Sequence, residues 1–156
     1  MQIQMKKHIK NIGVILFLIY MAFLVYFLFF AEEYSRNIVT EHYRYNYTPF
    51  EEIVRFWQYR HQLGMQAFTL NIIGNVVAFV PFGLFVPIIS RGLRKTWKII
   101  MLGALLSAVI EVVQLMTRVG TCDIDDVILN TIGAIVGYLI FYICSCVWRN
   151  TYGKKI

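Results

Sequence analysis

The chain has 156 residues, of which 58% are hydrophobic and 15% are charged, and its mean hydropathy is +0.59. A soluble domain of this length could not bury so much apolar surface, so the composition excludes an ordinary soluble fold. The net charge of +6 does not indicate a nucleic-acid-binding protein, because the basic residues follow a membrane-topology pattern.

Four stretches of the chain are long enough to cross the apolar core of a bilayer, which takes about 20 residues. The first follows Lys6, Lys7 and Lys10, but its apolar run is longer than that of a signal peptide, so we expect a retained anchor. The sequence therefore predicts an all-α integral membrane protein, a bundle of four transmembrane helices in a single domain over 1–156. The predicted spans are about 12–31, 68–89, 96–116 and 127–148.

Charged residues are distributed unequally between the two sides of the predicted bundle. With the amino terminus inside, ten of the 15 basic residues fall on the inner side, and none of the nine acidic residues does. Basic residues accumulate on the cytoplasmic side of membrane proteins. The distribution therefore predicts a multi-pass protein with both termini in the cytoplasm and membrane lipids as its immediate partners.

The first outer loop contains a helix-start pattern. Thr48 is the predicted N-cap, Glu51 would close a capping box, and Pro49 suits the first turn. We expect a short amphipathic helix over about 49–62, with Phe50 on its apolar face, lying on the outer membrane surface. A helix packed on the bundle is the alternative.

Glu111 lies within the third apolar stretch, where a charged group is costly and usually functional. Its spacing places Glu111, Gln114 and Arg118 on one helix face. Glu111 follows Lys98 by 13 residues, which is about 20 Å along a helix and reaches the outer half of the bilayer. Asn71, Asn75, Asp126 and Asn130 are predicted at the same level as Glu111 and Gln114, and Asp123 precedes Asp126 by three residues.

Two interpretations of this cluster remain open. In the first, Glu111, Asp123 and Asp126 form an acidic core that supplies a general acid or base, or holds a divalent cation. The amides of Asn71, Asn75, Gln114 and Asn130, with Arg118, would then bind or orient a ligand. In the second, the amides join helices, and Arg118 is an interfacial residue or a counter-ion to Glu111. Asp125 is expected to be a solvated helix cap.

Proline and glycine residues mark the predicted helix contacts. Pro81 should kink the second span, which also contains Gly83 and Pro87, and the kink would open a pocket toward lipid. Gly133 and Gly137 form a small-xxx-small pair in the fourth span. We interpret the pair as internal packing, with a homodimer seam as the alternative, so the oligomeric state stays open.

Four segments together resemble the VanZ-like family. They are NYTPFEEI (46–53), NIIGNVVAFVPFGLFVP (71–87), EVVQL (111–115) and DIDDVILNTIGAIVGY (123–138). Each segment alone is weak, but their order and spacing are specific, and together they reach from the first loop to the last span.

The resemblance implies a multi-pass protein of the bacterial cytoplasmic membrane. The family's namesake is associated with lowered susceptibility to teicoplanin, a glycopeptide that carries a fatty chain. We therefore expect a polar pocket in the outer half that acts on or binds a lipid-linked envelope component or a lipoglycopeptide. The alternatives are a membrane enzyme that uses the carboxylates on a lipid-linked substrate, and a non-catalytic envelope assembly protein.

Overall fold

The computed structural model describes residues 2–30, 45–63, 65–117 and 121–153. The described part is mostly helical, with two short strands that pair with each other. In chain order its elements are α1 (Gln2–Phe30), β1 (Tyr45–Asn46), α2 (Glu51–Gln58), α3 (Arg60–Leu63), α4 (Met65–Phe68), a π-helical turn (Thr69–Ile73), α5 (Gly74–Ile89), a 3₁₀ turn (Arg91–Leu93), α6 (Thr96–Thr117), β2 (Cys122–Asp123) and α7 (Ile124–Tyr152).

Four helices are long and apolar enough to cross a membrane. Their apolar spans agree in number and in place with the four predicted stretches, and a pair of short helices, α2 and α3, lies in the first loop. The predicted all-α, multi-pass membrane fold is therefore confirmed. The spans are Lys7–Tyr26, Asn71–Ile89, Thr96–Thr117 and Ile124–Thr151.

Helices α5 and α7 form the tightest contact in the bundle, and glycines make it possible. A Cβ atom on Gly137 would lie 1.9 Å from the carbonyl oxygen of Val80, and one on Gly83 would lie 1.9 Å from that of Ala134. Gly133 is in the same kind of contact with α5. Any side chain at these positions would drive the two backbones apart, so the glycine pair of the fourth span packs inside the chain.

The second span departs from α-helical geometry before it reaches its prolines. Helix α5 continues through Pro81 and Pro87, while the π-helical turn Thr69–Ile73 joins α4 to α5. Single π-helical turns inside helices are frequent at functional sites. The kink at Pro81 stays a prediction.

The two ends of the bundle differ in charge. The acidic end comprises 45–53, the last turns of α6, and 121–130, where β1, β2 and the first turns of α2 and α7 meet. The basic end comprises 7–10 and 87–98, and α7 contacts it at Arg94 through Tyr138 and Phe141 before its last turns. Between them lies a core centred on Phe79, Ile99 and Ala134, which are all fully buried. Helix α1 covers one side of α5 and exposes most of its own apolar side chains.

Candidate functional site

The acidic end is built on a contact between two distant parts of the chain. Strands β1 and β2 pair in parallel, with Tyr45 opposite Cys122 and Asn46 opposite Asp123. The Asn46 side-chain amide donates to Asp123 Oδ1 at 3.4 Å. The first loop is therefore held against the connection between α6 and α7.

Asp125 fastens this loop by capping helix α2 from outside it. Its carboxylate is fully buried and accepts hydrogen bonds from the backbone N–H groups of Phe50, Glu52 and Ile53, at 2.5, 2.9 and 3.2 Å. The first N–H groups of a helix have no partner within the helix, and a carboxylate there also meets the positive end of the helix dipole. One side chain of α7 thus satisfies most of the first turn of α2.

This arrangement overturns two sequence-based expectations. The predicted capping box is wrong: α2 begins at Glu51, after the N-cap residue Phe50, and no side chain of the cap position bonds to the helix. Thr48 instead donates its backbone N–H to Asn46 Oδ1 at 3.0 Å, which makes a turn. The prediction that Asp125 is solvated is also wrong. The local signal failed because the Phe50 N–H, which a Thr48 cap would have satisfied, is taken by a carboxylate 75 residues further along the chain.

Phe50 carries an unusual backbone conformation at this junction. Its φ is 67°, and it is the one non-glycine residue in the described part of the chain with a positive φ. A bulky residue with positive φ costs on the order of 1–3 kcal/mol and persists only where its surroundings enforce it. The short hydrogen bond to Asp125 is such an enforcing contact.

Glu111 joins α6 to the same assembly. Glu111 is 4% exposed, and its Oε2 accepts the backbone N–H of Asp123 at 3.0 Å. Asp123, which is 5% exposed, is the N-cap of α7, and its Oδ1 accepts the N–H of Asp125 at 2.8 Å. Glu111, Asp123 and Asp125 therefore form a chain of buried carboxylates, each of which receives backbone donors. We call these three residues the acid chain.

Burial raises the pKa values of two neighbouring groups just before α7, the Asp123 carboxyl and the Cys122 thiol. Burial raises the pKa of the Asp123 carboxyl, opposed by the hydrogen bond from the Asp125 N–H and reinforced by the charge of Asp125. Burial also raises the pKa of the Cys122 thiol, and the charges of Glu111 and Asp123 raise it further. Cys122 therefore reports on the charge of the neighbouring carboxylates.

Three other predicted site residues form contacts between spans. Asn130 is 2% exposed and donates to the hydroxyl of Ser107, which is fully buried, at 2.8 Å. The other side-chain atom of Asn130, Oδ1, has no hydrogen-bond partner within the described residues. Asn75 donates to the carboxylate of Asp126. These amides join α5 and α6 to α7, as the helix-joining interpretation expects.

The remaining predicted site residues differ in their exposure, and one of them lies outside the described part of the chain. Gln114 is buried on α6, one turn beyond Glu111. Asn71 lies in the π-helical turn and is exposed. Arg118 lies outside the described residues, so its predicted role stays a prediction.

Sequence reasoning missed Ser107 and named Asn46 only as part of the family resemblance, not as a site residue. Ser107 precedes Glu111 by four residues on the same helix face, so the 3.6-residue period carried the signal. Asn46 opens the first of the segments that carry the family resemblance. Both residues contact a predicted site residue.

The acid chain does not have the arrangement of a metal site. Within the part of the chain that the structure describes, no group of three or more His, Cys, Asp or Glu residues is placed to hold a metal ion. In the predicted acidic core, a backbone N–H donates to one oxygen of Glu111 and to one of Asp123, and the Asn75 amide donates to Asp126. The divalent cation therefore stays a prediction.

The acid chain places an exposed group of aromatic residues. Tyr45 and Tyr47 stack with ring centroids 5.1 Å apart, and both are more than 60% exposed. Phe50 and Trp57 are also more than half exposed. We call Tyr45, Tyr47, Phe50 and Trp57 the aromatic surface. Because β1 and α2 are bonded to Asp123 and Asp125, the acid chain sets its position.

Comparison with known proteins gives two matches and one absence. The sequence profile of the family described as VanZ/LLP1 matches residues 17–145, which is most of the chain. The chain is also similar to Protein VanZ of Enterococcus faecium, with 27% identity over 125 residues that cover 79% of this chain and 69% of that protein. No solved structure matches the chain significantly.

Proposed function

Because this chain belongs to the VanZ/LLP1 family, we propose that it binds an amphiphilic envelope molecule at its acidic end. The ligand class is a lipid-linked envelope component or a lipoglycopeptide, and the expected consequence is lowered susceptibility to teicoplanin. The site comprises the aromatic surface and the acid chain that holds it. In this proposal the protein lies in the bacterial cytoplasmic membrane.

The charge distribution supports an outward-facing acidic end. In the sequence, ten basic residues belong to the two terminal segments or to the stretch from the end of α5 to the first turn of α6, and no acidic residue does. Under the positive-inside rule, the basic end and both termini are cytoplasmic. The aromatic surface is then on the outer side of the membrane, where envelope precursors and glycopeptides are accessible.

The observation that carries the proposal is the cap that Asp125 places on α2. A surface loop with several exposed aromatic residues would ordinarily lose entropy on binding a ligand. Here three backbone hydrogen bonds to one buried carboxylate hold the loop in place before any ligand arrives. A fixed aromatic surface at headgroup level presents ring faces to sugars or aromatic side chains, and apolar area to a fatty chain.

The geometry favours binding over catalysis by the acid chain. Glu111 and Asp123 are almost fully buried, and each accepts a backbone N–H, so they are engaged in structure rather than directed at a solvent-accessible substrate. A role for Asp123 as a proton donor in a membrane enzyme is the second candidate, favoured by its raised pKa. Detection of a modified lipid that disappears with Asp123→Asn would support that candidate.

The first test is growth inhibition by teicoplanin in a susceptible host. The strains carry an empty vector, the native chain, Tyr47→Ala, or Tyr142→Ala as a matched control, because Tyr142 is similarly exposed on α7, far from the acidic end. We expect protection by the native chain and by Tyr142→Ala, and loss of protection with Tyr47→Ala at equal membrane levels. Equal protection by both tyrosine variants would contradict the role of the aromatic surface.

A second measurement separates binding from an indirect effect on the envelope. The purified full chain in detergent is titrated with teicoplanin and with teicoplanin whose fatty chain has been removed. We expect tighter binding of the acylated form, because its chain meets apolar area beside the rings of Phe50 and Trp57. A native chain that protects cells but binds neither form would overturn the proposed binding function.

A further inference from the structure

The basic end contains a groove that the proposed function does not use. The groove has a volume of about 440 Å³ and lies between the first turns of α1 and the end of α5. It is separated from the acid chain by the length of the bundle. We propose that this groove binds the phosphate headgroup and upper acyl chain of an anionic phospholipid.

The groove concentrates positive charge from two helices. Lys7 and Lys10 come from α1, and Arg91 and Arg94 from the segment that follows α5. Within the described residues, no carboxylate forms an ion pair with Lys7, Lys10 or Arg91, and the sequence places no acidic residue among the neighbouring segments. The hydroxyl-bearing residue Ser90 also lines the groove and can donate to a phosphate oxygen.

An apolar floor distinguishes this groove from a site for a free anion. Ile9, Ile88 and Ile89 line it beside the cations. A small inorganic anion would leave these side chains against water, whereas a phospholipid covers them with its acyl chain. The combination of cations and isoleucines therefore matches one amphiphilic molecule.

The depth of the groove agrees with a lipid ligand. The candidate span of α1 begins at Lys7, and that of α5 ends at Ile89. The groove between these two residues therefore lies where the hydrocarbon core meets the headgroups. Basic pockets between transmembrane helices at this level bind anionic headgroups. Arg94 is held in place by a hydrogen bond to the Pro87 carbonyl at 2.8 Å and by stacking over Phe141, which fixes one cation of the groove.

The test is native mass spectrometry of the full chain in detergent with added phosphatidylglycerol or phosphatidylcholine of the same acyl chains. The double variant Lys10→Gln/Arg91→Gln removes one groove cation from each helix. The matched control Lys95→Gln/Arg149→Gln removes the same charges from exposed positions at the same end, outside the groove. Lys10→Arg/Arg91→Lys keeps both charges and checks that the groove tolerates substitution.

We expect the native chain to retain phosphatidylglycerol over phosphatidylcholine, and the groove variant to lose that preference. Each cation near a lipid surface contributes about fivefold to affinity, so the double loss is about 25-fold, while the control and the charge-keeping variant stay within about twofold of native. An equal loss in the groove variant and the control would overturn the proposal in favour of diffuse charge. Displacement of the lipid by equimolar inorganic phosphate would overturn it in favour of a free-anion site.

Discussion

The two ends of this bundle use charge in opposite ways. At the acidic end the three carboxylates of the acid chain are buried and accept backbone N–H groups, one of them across the 75 residues from Phe50 to Asp125. At the basic end the cations are mostly exposed, and their internal bonds are local, such as that of Lys98 to the Gly92 carbonyl at 2.7 Å.

Because of this difference, we expect a mutation to be able to remove the exposed charges, but not the buried ones, without unfolding the protein. When a buried acceptor is deleted, its donors are left without a hydrogen-bond partner. When an exposed cation is deleted, water or lipid headgroups replace it, and little stability is lost. We therefore expect the buried carboxylates of the acid chain to contribute more to the stability of the fold than the exposed cations of the basic end.

Asp125→Ala should have the largest effect. It leaves the N–H groups of Phe50, Glu52 and Ile53 without an acceptor, which we expect to cost about 3 kcal/mol or more in free energy of unfolding. Denaturant titration in detergent measures the cost, and limited proteolysis should show faster cleavage in the first loop. Glu51→Ala is the control, because it removes an exposed carboxylate from the same segment. Equal losses in both variants would remove the distinction between buried and exposed acids.

Glu111 offers a graded test within the acid chain. Glu111→Ala deletes the acceptor of the Asp123 N–H and should cost about 1–3 kcal/mol in unfolding free energy. Glu111→Gln keeps a carbonyl oxygen for the same donor and should cost less, about 0.5–1.5 kcal/mol. Thermal unfolding of both variants in the same detergent shows which of the two is more stable. If the glutamine variant were the less stable of the two, the charge of Glu111 and not its acceptor oxygen would be the important property.

The Cys122 thiol provides a pH-dependent readout at the acidic end. Its pKa is raised by burial and then by the charges of Glu111 and Asp123, so at pH 8 less thiolate is present than in an exposed cysteine. Glu111→Gln should lower that pKa and speed alkylation by iodoacetamide. Cys144→Ser and Cys146→Ser in the background make the signal specific to Cys122. An unchanged pH profile in the glutamine variant would show that Glu111 does not act on Cys122.

The smallest effect is expected at the basic end. Arg91→Ala should change the free energy of unfolding by no more than about 0.5 kcal/mol, because Arg91 is exposed and forms no ion pair among the described residues. Arg94→Ala should cost more, because the Arg94 side chain donates to Pro87 and stacks over Phe141. Denaturant titration compares the two. If Arg91→Ala lowered the free energy of unfolding as much as Asp125→Ala does, the proposed difference between the two ends would be wrong.

Much of the fold follows from patterns within the sequence. Length and hydropathy locate the four spans, because a bilayer demands a minimum apolar run whatever the partners are. Helical spacing also places Glu111 and Gln114 on one buried face of α6. The small-residue pattern of Gly133 and Gly137 indicates close helix contact, and the structure shows that α5 is the neighbour.

The contacts between the first loop and α7 at the acidic end could not be predicted from the sequence in the same way. The residues Thr48, Pro49 and Glu51 satisfy every local rule for a helix start, yet the cap comes from Asp125. A local pattern states what a segment can do alone, but it contains no information about a competing acceptor brought by another helix. Burial of Asp125 was missed for the same reason, since a run of acids before a helix is ordinarily solvated.

The cap of α2 by Asp125 has a consequence for how the protein is made. The chain is synthesised from its amino terminus, so the first loop is complete long before Asp125 exists. The first turn of α2 can take its final form only when α7 has been synthesised and supplies the acceptor. The aromatic surface is therefore assembled last, and a chain that ends after α6 would contain three of the four candidate spans but no cap for α2.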